Sequence, residues 1–64
     1  MYIINVTNPD RTDSSTIKEF AHEAANFALS ILPPYEVRRI EDSITRQEWF
    51  GEDIKDFIAL HTRD

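Results

Sequence analysis

The side chains best suited to chemistry in this chain are acids. Six of its twelve carboxylates fall between residues 41 and 56: Glu41, Asp42, Glu48, Glu52, Asp53 and Asp56. Glu48, Glu52 and Asp56 recur every fourth residue, so a helix through them would stack three carboxylates about 6 Å apart in one ridge. That interval is comparable to the spacing of successive phosphates along a nucleic-acid strand. The chemistry on offer is therefore charge: a short imitation of a phosphate backbone, presented to a basic surface. Like charges four apart destabilise an isolated helix by roughly 0.2–0.5 kcal/mol each, and a purely structural helix would gain from a lysine in the row. Arg46 and Lys55 interrupt the field, and the plain alternative is a solvated face. Trp49, beside these acids, is an interface anchor if it points outward and a core residue if it turns in.

Other chemistries find little support. His22-Glu23-Ala24-Ala25-Asn26 opens like the zinc-peptidase helix motif but carries Asn where the second imidazole must stand. His22 then reads as a solvated helix residue, and His61 as a partly buried side chain near a helix C-terminus. With one glycine there is no phosphate-binding loop, and no Ser, Thr or Asp sits in a nucleophile elbow. Glu41-Asp42 and Glu52-Asp53 are paired carboxylates that do not fit EF-hand spacing. The chain contains no Cys, hence no disulfide and no thiolate metal site. The expectation is a protein that is not an enzyme and uses no cofactor or metal.

Size and charge narrow the field further. Sixty-four residues make one domain, which buries only about 60% of the surface its unfolded chain exposes, so packing or a partner must supply stability. The net charge of −5 and pI near 4.8 oppose direct contact with a phosphate backbone and favour basic protein surfaces, which in a cell belong largely to nucleic-acid-binding proteins. Solubility alone also explains a modest negative charge. The opening Met1-Tyr2-Ile3-Ile4 is no charged, long apolar leader, and no apolar run reaches the roughly 18 residues of a membrane span, which predicts a cytoplasmic protein.

The elements that must position these residues follow from periodicity. Tyr2, Ile4 and Val6 alternate with Ile3, Asn5 and Thr7, predicting a first strand. Asn8 to Ser15 reads as a polar loop. Thr16 with Glu19 forms a capping box, and Ile17, Phe20, Ala21, Ala24, Phe27, Ala28 and Ile31 then mark an amphipathic helix that Pro33 and Pro34 end. Its alanines allow close approach to a sheet. Tyr35 to Ile40 reads as a second strand, parallel to the first; Tyr35 and Val37 share a face with Ile40 only if a bulge at Arg38-Arg39 resets the phase. Successive residues of a strand face opposite ways, so the two arginines form no single patch.

The last third admits two readings. Thr45 and Glu48 can cap one helix running through Gly51 to about His61, which carries the ridge and projects Trp49 outward. Alternatively, residues 43–49 form a third strand, Gly51 is a break, Glu52 and Asp53 start a shorter helix, and Trp49 turns inward. Both give an α+β domain, ordered β-α-β-(β)-α, with helices on one face of a two- or three-stranded sheet. Tyr2, Phe20, Phe27 and Phe57 are expected in the core. No repeat, linker or low-complexity tract is present.

A short, acidic, Cys-free, single-domain α+β chain without a catalytic motif resembles the small proteins that phages and mobile elements use against host machinery, anti-CRISPR proteins among them. The stretch from Thr16 to Ile40, with its Thr-Ile-Lys-Glu helix start, alanine-rich helix and Pro-Tyr-Glu-Val-Arg-Arg-Ile segment, is similar in layout to the small RNA polymerase inhibitors of short-tailed coliphages. The acidic second helix is not part of that layout. The resemblance implies a stoichiometric inhibitor that occupies the basic surface of a nucleic-acid-binding complex, a CRISPR effector or RNA polymerase, as a monomer or weak dimer. Glu41, Asp42, Glu48, Glu52, Asp53 and Asp56 would supply charge and Trp49 an anchor. The rival reading is a small assembly or homodimerisation module, using apolar side chains such as Leu29 and Leu60 that lie off the core stripes.

Overall fold

A computed structural model describes residues 1–62. The elements run β1 (Tyr2–Thr7), β2 (Asp13–Lys18), α1 (Ala21–Ser30), β3 (Glu36–Asp42), β4 (Glu48–Phe50) and α2 (Glu52–His61). The strands form one antiparallel sheet in the order β2-β1-β3-β4. The α+β class is as expected, but the sheet has four strands rather than two or three, and the order is β-β-α-β-β-α.

The extra strand is β2, and it corrects two expectations. Asn8-Pro9-Asp10-Arg11 is a hairpin turn rather than the start of a loop: Arg11 N donates to Asn8 O at 3.0 Å, and Asn8 N to Thr12 O at 2.7 Å. Pro9 supplies the fixed φ of the first central position, and Arg11, at φ 69°, takes the left-handed position that lets a three-residue loop close. Asp10 Oδ1 accepts from the Thr12 hydroxyl at 2.6 Å and from Thr12 N at 3.1 Å. Thr16 therefore lies in a strand opposite Ile4, not at a helix start. The helix begins at Ala21, where Glu23 Oε1 accepts from Phe20 N at 3.3 Å and so satisfies one free amide of the first turn.

The hairpin also reverses the chain once more before α1. Consequently β3 returns antiparallel to β1, not parallel as a direct strand–helix–strand crossover would require. The register slips between Asn5 and Val6, pairing Asn5 with Arg39 and Val6 with Val37, so that Arg38 is the extra residue. This bulge returns Val37 and Ile40 to one face, as the phase problem in the sequence demands.

The core is formed by Ile4, Val6 and Ile40 of the sheet, Ala24, Ala25 and Ala28 of α1, and Ile54 and Phe57 of α2. The alanines carry no long side chain, so α1 lies close against β1. Tyr2 and Phe27 are partly buried against this cluster, whereas Phe20 is 54% exposed and stacks on His22 with ring centroids 5.8 Å apart. The expected core position of Phe20 fails because it precedes the helix and is not carried round to the sheet side. Residues Leu32 to Tyr35 form a tight turn closed by Tyr35 N donating to Leu32 O at 3.0 Å.

Candidate protein-docking face

Gly51 decides where the acids stand. Its backbone, as the residue preceding α2, stands at φ 52° and ψ −121°, a positive-φ conformation that glycine takes freely and L side chains rarely adopt. The chain therefore breaks between Phe50 and Glu52, and Glu48 belongs to β4 while Glu52 and Asp56 belong to α2. The single helix through residues 46–61 does not form, and neither does the three-carboxylate ridge Glu48–Glu52–Asp56. The reading with a strand, a break and a shorter helix holds, with the strand confined to Glu48–Phe50.

Three of the acids are engaged within the domain. Glu41 and Glu48 are direct cross-strand partners, a like-charge pairing that is unfavourable unless a cation lies between. Arg39 supplies it, with Nη2 3.7 Å from Glu41 and Nη1 3.2 Å from Glu48. The Asn5 amide bridges Ser15 and Arg39; in the orientation that satisfies both, its oxygen accepts from Arg39 Nη2 and Nε at 3.1 and 3.2 Å. Arg39 thus ties β1, β3 and β4 together on the sheet face away from the helices. Asp42 organises the β3–β4 connection: its Oδ1 accepts from Ile44 N at 2.9 Å and Thr45 N at 3.4 Å. The Ile44 amide, with help from Thr45, holds its carboxyl below the usual carboxylate range.

The remaining acids lie on α2. Ile54 and Phe57 turn inward, and Glu52, Asp53 and Asp56 are exposed. Glu52 reaches Lys55 Nζ at 3.7 Å, a highly exposed pair. Among the described residues, no cation lies within ion-pair distance of Asp53 or Asp56. Glu52 and Asp53 sit in the first turn, where negative charge is favoured by the helix dipole. Asp56, a turn further on, has no such structural reason. The acidic face is thus a short one, built on one helix of ten residues.

Trp49 turns inward. It packs on Phe57 with centroids 4.6 Å apart and lies 6.3 Å from Tyr2, and Phe57 in turn meets Tyr2 at 5.7 Å and His61 at 4.6 Å. It is partly buried against the core, which leaves the acidic face without its proposed aromatic anchor. Burial, with Asp42 nearby, pushes the Tyr2 hydroxyl above its ordinary value.

The arginines hold a feature that period-2 reasoning missed. Because Arg38 is the bulge residue, Arg38 and Arg39 both line a shallow concavity with Asn5, Asp13 and Phe50. Arg38 Nη1 pairs there with Asp13 at 3.5 Å. The signal was present in the sequence as the phase conflict between Val37 and Ile40; resolving it by a bulge also moves Arg38. Among the described residues, no group of three His, Cys, Asp or Glu is placed to hold a metal ion, and no helix is long and apolar enough to cross a membrane. Comparison of the chain with protein-family models, curated proteins and solved structures returned no match.

Proposed function

We propose that this domain is a non-enzymatic inhibitor that docks the exposed acids of α2 on the basic surface of a bacterial nucleic-acid-binding complex. The observation that supports it is the solvent face of α2, where Asp53 and Asp56 stand exposed and unneutralised by any described cation in a chain of charge −5. Electrostatic complementarity of this kind sets on-rate and partner choice more than it sets raw affinity. Glu41 and Glu48, tied to Arg39, and Asp42, tied to its turn, contribute at most long-range field. The mimicry is therefore of a charged patch and not of an extended backbone. A CRISPR effector is the first target class, and RNA polymerase the second.

The test is inhibition of nuclease and transcription reactions by the wild-type domain and by Asp56→Lys and Asp53→Lys/Asp56→Lys. Asp56→Lys is the cleaner change, because Asp53 also stabilises the first turn of α2. Inhibition of one reaction should weaken about tenfold or more on charge reversal, and likewise as ionic strength rises towards roughly 0.5 M. Inhibition indifferent to both, or absent from both reactions, refutes the reading.

A further inference from the structure

The sheet has two unlike edges. β4 is three residues long and runs into the break at Gly51, so it offers little to a further strand. β2 is six residues long, pairs with β1 in unbroken register and contains no proline. Asn8 N donates to Thr12 O at 2.7 Å, which makes these two a hydrogen-bonded pair of the hairpin. Such pairs alternate along the strands. Ser14, Thr16 and Lys18 therefore turn their N–H and C=O groups to Val6, Ile4 and Tyr2, while Asp13, Ser15 and Ile17 turn theirs out of the sheet. All three outward residues are exposed. Edge strands are commonly blunted by a bulge, a proline or a central charge, and the middle of β2, Ser14-Ser15-Thr16-Ile17, has none of these.

Charge selects the strand that completes this edge. A two-fold axis normal to the sheet joins β2 to its own copy antiparallel, and both sheet faces stay continuous only where odd residues meet odd and even meet even. In the register centred on Ser15, Ser15 meets its own copy, Asp13 meets Ile17 and Ser14 meets Thr16. Three hydrogen-bonded pairs then contribute about six backbone bonds. Beyond the strand, Arg11 comes opposite Glu19, and Lys18 lies diagonal to Asp10. Asp13 already carries Arg38 at 3.5 Å. Each end of the contact thus gathers Arg11, Arg38 and Lys18 with Asp10, Asp13 and Glu19, and no acid meets its own counterpart. The next register, centred on Thr16, sets Asp13 against Glu19 at both ends. A chain of charge −5 that repels its copy across most approaches finds here an edge whose charges balance. We propose that β2 pairs with β2 of a second copy, centred on Ser15, to form an eight-stranded sheet across two domains. Two helices about 10 Å wide cover four strands about 4.8 Å apart, so the second sheet continues the first without its helices overlapping. α2 packs on β4 at the far edge, so the dimer leaves its acids outward and is independent of whether they meet a target.

The contact is short, and the dissociation constant should be on the order of 0.1 mM. Amide hydrogen exchange and sedimentation equilibrium of the whole chain test it together. Between about 20 µM and about 1 mM, exchange of the Ser15 and Ile17 amides should slow about threefold, while Ser14 and Thr16, already bonded to β1, change little. Ser15→Pro removes the central outward N–H, which β1 does not use, and should raise the dissociation constant about tenfold or more with an unchanged far-ultraviolet spectrum. Arg11→Glu and Glu19→Arg, both at exposed positions, provide a second measurement that does not touch the strand. Each alone should weaken the dimer about threefold or more, and the two together should restore it. A wild-type monomer at about 1 mM, without concentration-dependent protection, leaves the edge to some other strand and overturns the proposal. So does a dimer that survives Ser15→Pro, or a double charge reversal that restores nothing.

Discussion

Replacing Gly51 by alanine separates the two readings of the last third of the chain by the sign of its effect. A Cβ added at Gly51 meets nothing within 4 Å, so no clash contributes. What remains is backbone strain, since φ 52° with ψ −121° is a conformation L residues rarely adopt; holding one there costs on the order of 1–3 kcal/mol. Were residue 51 inside a continuous helix carrying the acidic ridge, the same substitution would stabilise the protein by about 0.8–1.0 kcal/mol, the difference in helix propensity between Ala and Gly. For a domain of this size, 1 kcal/mol shifts the melting temperature by roughly 4–8 °C, so the loss should be at least about 4 °C. Thermal and urea unfolding followed by Trp49 fluorescence is the appropriate assay, because Trp49 lies 4.6 Å from Phe57 and reports the docking of α2 on the sheet. An unchanged or raised melting temperature for Gly51→Ala would refute the break at Gly51, and with it the separation of Glu48 from Glu52 and Asp56.

Arg39→Met should lower stability by about 1 kcal/mol, because it leaves Glu41 and Glu48 directly opposed on neighbouring strands. Adding Glu48→Gln should recover much of the loss, and no recovery in urea titrations would show that Arg39 acts otherwise. Asp42 and Asp10 have carboxyl groups lowered below their ordinary value of 3.8, by amide hydrogen bonds from Ile44 and by the Thr12 hydroxyl respectively. A carboxylate lowered by folding adds stability above its unfolded pKa and loses it as pH falls through the folded one. Melting temperature should therefore hold from neutrality to about pH 4 and fall below it, with a shallower fall in Asp42→Asn; an identical acid limb in that variant would count against the turn's dependence on Asp42.

How far the sequence was readable depended on whether a local rule had a competitor. Tyr2 to Val6 could be read as a strand because their alternation serves one buried face, and the alanine stripe of α1 because 3.6-residue periodicity is a property of neighbours along one helix. β2 was missed because it is an edge strand: Asp13, Ser14, Ser15 and Ile17 are exposed, so burial imposes no apolar alternation on them. Thr16, Ile17 and Phe20 then happened to satisfy the spacing of a helix start. The candidate site was legible only as composition. Which acids share a surface was not, since Glu48 and Glu52 are four residues apart in either reading and Gly51 alone turns one away from the other.

The amino-acid sequence by itself determined the class of fold, the sign of the charge, the end of α1 before Pro33 and the need for a bulge between Val37 and Ile40, because each rests on residue type and near-neighbour spacing. Only the tertiary structure decided that Arg39 binds Glu41 and Glu48, that Trp49 faces inward, and that Asp53 and Asp56 keep an open face. These outcomes depend on strand register and on which side of the sheet the helices cover, and both are set by contacts between residues far apart in the chain.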